Sequence, residues 1–187
     1  MIKGYGTTVL ALDPGKSTGY ALCSVYKGEP HTNGVTHPIL GDRWVQVHSS
    51  GSLSFEEAPR ALPVLLDEAV TGHWRRSHVS GQTHNDASGK SHPVRPAVLL
   101  CEHFTLTVNA VRGQSGWSLE VIGMARMLAA RAEDPVQFDT TQQPSAMKNL
   151  IHNNRVLHEC GLIREKMTQH EKDALGHALL FATRLGR

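Results

Sequence analysis

Two stretches of this chain are apolar throughout and then stop on a carboxylate. Val9-Leu10-Ala11-Leu12 runs into Asp13, and Ala97-Val98-Leu99-Leu100-Cys101 runs into Glu102. Short uninterrupted apolar runs of this length read as buried strands. A carboxylate at the end of such a strand is costly to bury unless it has a partner. A third acidic position, Asp173, opens the helical run from Ala174 to Leu185, and His170 stands three residues before it on the same helix face. Taken singly, each position has a plain structural explanation. Asp13 is a turn opener before Pro14-Gly15, Glu102 is a solvated strand end, and the His170–Asp173 pair is a polar helix edge. Together they form the ligand set for two hard divalent cations, an arrangement that cuts phosphodiester bonds by in-line water attack.

The rest of the chain permits such a site. Its 187 residues suit one domain over 1–187 with a single sizeable core. No apolar run reaches the roughly 20 residues of a membrane helix. Met1-Ile2-Lys3-Gly4 leads straight into a strand without the layout of a signal peptide, so a cytosolic enzyme is expected. Cys23, Cys101 and Cys160 show no paired spacing and read as reduced, mostly buried thiols. A formal net charge of +2 allows a nucleic-acid partner only if the basic residues gather on one face.

Thr7 to Asp13, Tyr20 to Tyr26 and Trp44 to Leu53 read as three strands of an antiparallel meander, the first two joined by the Pro14-Gly15 turn. Phe55 to Val70 has helical periodicity, which Pro59 and Pro63 interrupt in its first turns. Residues 73–96 are almost free of apolar side chains and read as a long polar loop or insert. After the Glu102 strand come a helix from Leu119 to Ala132, a short strand Val136 to Asp139, and a helix from Pro144 to Ile151 capped by Ser145 or Thr141. The last helix starts at about His170. The order β-β-β-α-β-α-β-α describes an α/β fold with a mixed sheet and helices packed on it.

Two familiar motifs fail. Gly15-Lys16-Ser17 is no phosphate-binding loop, because the required earlier glycine falls on Leu10. His170-Glu171 is no zinc-protease motif, because its second histidine falls on Ala174. His73, His78, His84 and His92 lack a paired metal spacing and read as surface residues.

Leu12-Asp13-Pro14-Gly15 followed by Thr18-Gly19 is similar to the first motif of the RuvC-type Holliday junction resolvases. Leu100-Cys101-Glu102-His103-Phe104 resembles their second, and His170-x-x-Asp173-Ala174-Leu175 their last. Pro144-x-x-x-Lys148 looks like the segment where the family carries a basic residue near the site. The motifs span nearly the whole chain in the right order, and the compact form looks most like the phage-encoded members. The sequence departs from the pattern at His170, where many members have Asp, and in the length of 73–96.

The resemblance implies an RNase H-like five-stranded mixed sheet with helices on both faces. It implies a metal-dependent endonuclease resolving four-way junctions, with flaps, forks or RNA–DNA hybrids as alternative targets. Asp13, Glu102, His170 and Asp173 become ligands of two Mg2+ or Mn2+ ions, with Asp13 the bridging one. Lys148 becomes a phosphate contact and Phe104 a wedge against an unpaired base. Arg75, Arg76 and Arg112 are candidate backbone contacts. A homodimer is expected, since a junction is nearly two-fold symmetric, and the helix with Val121, Ile122, Met124 and Ala125 is its candidate interface. No membrane partner is expected; the setting is the cytoplasm, that of a bacterial host if the chain is phage-encoded. An actin-like ATPase would need a second such domain and another glycine-rich phosphate loop. A catalytically dead DNA-binding module would not need all four ligand positions.

Overall fold

A computed structural model of the protein describes residues 6–30, 33–71, 83–85, 91–93, 97–103, 115–152 and 154–185. Five strands form one sheet in the order β3-β2-β1-β6-β7. They are β1 (Thr7–Asp13), β2 (Ser17–Lys27), β3 (Arg43–Ser54), β6 (Ala97–Cys101) and β7 (Val136–Asp139). The first three are antiparallel, while β6 pairs parallel with both β1 and β7. The sheet is therefore mixed, as expected, and β1 lies at its centre. A separate two-stranded ribbon, β4 (Thr83–Asn85) with β5 (Ser91–Pro93), lies within the polar stretch read as a loop.

Helices cover both faces. Alternation along the strands divides the core in two, since successive side chains point to opposite sides of a sheet. Leu10, Leu12, Leu99 and Cys101 pack toward α1 (Ala58–Thr71) and α2 (Ser115–Arg131). Val9, Ala11, Val98 and Leu100 pack toward α3 (Pro144–Ile151), α4 (Arg155–Glu159) and α5 (Gln169–Arg184). The same period of two sends Asp13 and Glu102 to the α5 side. Both chemistry-bearing strands thus aim their terminal carboxylates at the helix that carries His170 and Asp173.

Several local expectations need correction. Pro63 is accommodated inside α1, which starts at Ala58 rather than Phe55. Neither Ser145 nor Thr141 caps α3; its cap position is Gln143, whose side chain makes no capping bond, and Pro144 follows at the first helical position. The five-residue α4 was not foreseen, being too short to show a periodicity. Val121 and Ala125 are buried in the core, while Leu119 and Met127 are the large apolar side chains that α2 leaves exposed. Cys23 and Cys101 are buried, Cys160 is partly so, and all three are free. Burial pushes the Cys23 thiol up to about 12. Among the described residues no helix is long and apolar enough to cross a membrane.

Helix α5 holds the site against the sheet. Thr168 caps it by accepting a hydrogen bond from the Glu171 N–H at 3.1 Å. Glu171 in turn accepts from Ser50 of β3 at 2.8 Å and pairs with Arg164. Gly19 of β2 lies directly beneath this first turn. A Cβ built on Gly19 would stand 1.9 Å from the His170 carbonyl oxygen and 2.7 Å from the Glu171 nitrogen. Only a residue without a side chain allows that approach. We expect Gly19→Ala to cost at least the ~1–3 kcal/mol typical of overpacking. The variant should melt several degrees below the wild type, at roughly 2–4 °C per kcal/mol for a chain of this size. A thermal melt equal to wild type would contradict this packing.

Candidate active site

Register brings the two strand-end carboxylates together. Leu12 pairs with Cys101 across the parallel β1–β6 ladder, and the Glu102 N–H donates to the Leu12 carbonyl at 3.1 Å. Asp13 and Glu102 therefore leave adjacent strands at the same level, at the carboxyl end of the parallel pair, where open α/β sheets place their ligand sites. Asp13 is almost wholly buried, whereas the Glu102 side chain is 20% exposed. Helix α5 completes the cluster. The His170 ring donates Nδ1–H to Oδ2 of Asp13 at 2.5 Å, which leaves Nε2 uncommitted to that bond. Gly15 makes room for this ring, since a Cβ there would meet His170 Cε1 at 3.3 Å.

Two carboxyl groups in one partly buried place cannot both ionise freely. Burial pushes Asp13 up to about 7; neighbouring Glu102 adds to the rise, and the hydrogen bond from His170 opposes it. Burial acts on Glu102 in the same sense, but hydrogen bonds from His177 and from protonated Asp13 outweigh it and hold Glu102 below the usual carboxylate range. These opposite shifts are two aspects of one proton shared by the pair. The hydrogen bond to Asp13 lifts His170 above its ordinary value, against burial, and Asp173 and Glu102 contribute further negative field.

Asp173 is buried and accepts a hydrogen bond from Gln169 at 2.6 Å. It acts on His170 through its charge rather than by a direct bond. Lys148, exposed on α3, lies close enough for its charge to favour ionised Glu102. Phe104, Arg75, Arg76 and Arg112 lie outside the described residues. Trp117 tilts against Phe55 with ring centroids 6.3 Å apart, and Lys16 lies over its ring. One participant escaped the sequence reading altogether. His177, fully buried, donates Nε2–H to Oε2 of Glu102 at 3.2 Å. Its position, four residues after Asp173 and seven after His170, was the available signal, because those spacings share a helix face.

Among the described residues no three His, Cys, Asp or Glu side chains converge as the ligands of a single ion would. The donor chemistry nevertheless suits a divalent cation. A buried carboxyl pair that retains a proton to near neutrality has an unmet need for positive charge, and hard cations take carboxylate oxygens. His170 adds an imidazole nitrogen to that donor set.

The whole chain also resembles a solved structure. It matches T. thermophilus RuvC, determined in complex with Holliday junction substrate, with a TM-score of 0.53 and 16% identity. The match covers 96% of this chain and 97% of that one, and at this identity it shows the fold. No protein-family model and no curated protein matches the chain.

The proton on Asp13 has a measurable consequence without metal. At pH 4 the carboxyl is largely protonated in the folded protein. Between pH 4 and 7 the unfolded carboxyl gives up its proton and the folded one does not, so this group's contribution to stability declines as pH rises. Asp13→Asn keeps an acceptor for His170 and a donor for Glu102 without that liability. In chelator at pH 8 the variant should melt several degrees above the wild type, and the gap should shrink toward pH 4. Calorimetry across this range would show the reverse trend if Asp13 were an ordinary ionised carboxylate.

Proposed function

We propose that the chain is a structure-selective DNA endonuclease that resolves four-way junctions by metal-dependent phosphodiester hydrolysis. The observation that carries this reading is the pairing of Asp13 and Glu102 at the ends of adjacent parallel strands, closed over by His170. The full-length likeness to a resolvase structure supports it. Asp13, Glu102, His170 and Asp173 would hold the cations. Asp13 would serve as the shared ligand, because a central strand buried on both faces is the most fixed platform in the domain. Two Mg2+ or Mn2+ ions, when bound, supply the Lewis acidity that activates the attacking water and stabilises the departing 3′ oxygen.

The protein's own groups do the rest. Asp13 and Glu102 would give up their shared proton to hold a cation, so occupancy would improve as pH rises through neutrality. His170 keeps Nδ1 on Asp13, which fixes the ring and directs Nε2 outward as a donor. Lys148 offers a cation to the phosphate opposite Glu102. Phe104 is the wedge at the branch point, and Arg75, Arg76 and Arg112 are backbone contacts; these roles rest on the sequence. Phosphate contacts of this kind read the shape of a branched substrate rather than its bases. The setting is the cytoplasm, and the compact form fits a phage-encoded enzyme.

Symmetric cutting of a junction needs two such sites, so the reading includes a homodimer. Leu119, Gly123 and Met127 recur every four residues on the exposed side of α2, giving an apolar ridge beside the buried Val121 and Ala125. We expect sedimentation at micromolar concentration to show a dimer, and Leu119→Glu combined with Met127→Glu to shift it to monomer. A wild type that remains monomeric with junction present would remove the dimer from the reading.

The catalytic assignment predicts that Asp13→Asn, Glu102→Gln and Asp173→Asn each lower the rate of junction cutting by several orders of magnitude. Junction affinity in a gel shift should stay near wild type. Labelled four-way junctions, flaps, forks and RNA–DNA hybrids, each with Mg2+ and with Mn2+, form the substrate panel. Faster cutting of any other member than of junctions would replace the substrate. Normal cutting by Asp13→Asn would overturn the site.

A further inference from the structure

His177 sits between α5 and the sheet with none of its surface exposed. A polar ring in that place is costly unless both nitrogens find partners. Both do, and the partners are informative. Nε2 faces Glu102 and Nδ1 faces the side chain of Gln142, itself buried, at 2.9 Å. The Gln142 amide suits all its neighbours in one orientation only. Its nitrogen then donates to the His177 carbonyl at 3.1 Å and to Nδ1 at 2.9 Å, and its oxygen accepts from the Phe181 N–H at 3.1 Å. Nδ1 is thereby an acceptor. Nε2 then carries the ring N–H and donates a hydrogen bond to Glu102.

The same loop grips Glu102 from its other side. The backbone carbonyl of Gln142 accepts from the N–H of His103, and the His103 ring bonds the Thr140 carbonyl at 3.1 Å. Glu102 is thus held through its own N–H to β1, through its neighbour to the loop after β7, and through its carboxylate to His177. A leucine at position 177 would fill the space without any polar requirement. The ring is therefore better explained by what it does to Glu102 than by packing.

We propose that His177 is a positioning residue: locked in one tautomer by Gln142, it donates Nε2–H to Glu102 and fixes the carboxylate in the rotamer that binds a divalent cation. Groups that hydrogen-bond metal-binding carboxylates commonly contribute about 10- to 100-fold to metal affinity. The inference rests on the reading of Asp13 and Glu102 as cation ligands, and the experiment separates the two.

Mn2+ binding to the full chain, followed by electron paramagnetic resonance and by calorimetry without DNA, is the readout. Asp13→Asn and Glu102→Gln should abolish tight binding; if they bind as wild type does, the ligand assignment falls and this inference with it. Given that loss, His177→Phe should bind Mn2+ roughly 10- to 100-fold more weakly while keeping a cooperative thermal melt. His177→Gln, whose amide can donate in place of Nε2, should recover most of the affinity. Wild-type affinity in folded His177→Phe overturns the proposal, as does a His177→Gln variant no better than Phe. If His177→Phe does not fold, Gln142→Met decides, since it leaves the ring but removes its lock. Weakened Mn2+ binding supports the proposal and unchanged binding overturns it.

Discussion

The close seat of helix α5 on the backbone of β2 at Gly19 is the constraint on which the rest of the site depends. It sets how near the first turn of α5 can come to the sheet, and that turn carries His170. With the turn seated, His170 reaches Asp13, Asp173 lies within electrostatic range, and His177 falls over Glu102 one further turn along. A helix displaced outward by the width of a methyl group would lose these contacts together, since bonds of 2.5–3.2 Å leave no slack. The Thr168 cap and the buried Glu171, tied to Ser50 and Arg164, secure the seat from the helix side.

Against that fixed geometry the sheet presents an electrostatic problem. The parallel pairing of β1 and β6 forces two carboxylates into one small volume, on the same face by alternation and at the same level by register. The protein answers with a shared proton, a short bond to His170 and a buried imidazole on the second carboxylate. This is the usual tension between stability and function: the strained place in the fold is the place where a cation would be most welcome. It also explains why several polar side chains stand in an otherwise apolar layer.

Much of this was legible in the residues. The apolar runs ending at Asp13 and Glu102, the Pro14-Gly15 turn and the final helix each carry a local physical signal, and the structure places them as the sequence implied. Asp13 stands beside Glu102 across the β1–β6 ladder and meets His170 from α5, with Lys148 in electrostatic reach of Glu102. Other parts were hidden for identifiable reasons. His177 lies inside Ala174-Leu175-Gly176-His177-Ala178-Leu179-Leu180, where it reads as an incidental core residue until the third dimension supplies Glu102. Gln142 sits among Thr140, Thr141 and Gln143, whose composition says only loop. The cap of α3 was misplaced because proline at the first helical position determines the start without a side-chain bond. The ribbon of β4 and β5 is too short and too polar to announce itself, and only packing in three dimensions separates the exposed Leu119 and Met127 from the buried Val121 and Ala125.

The placement of β1 between an early and a late partner has a consequence for the birth of the protein. Its antiparallel neighbour β2 follows at once, but its parallel neighbour β6 comes only after residue 96, and the His170 that completes Asp13 lies 157 residues downstream. Chains emerge from the ribosome at about 5–20 residues per second, so for several seconds the meander exists as a half-sheet whose open edge is β1. During that interval the molecule holds Asp13 without Glu102 or α5 and has no assembled centre. The cluster of Asp13, Glu102 and His170 is thereby incomplete throughout synthesis, and assembles only when the most distant segments have met.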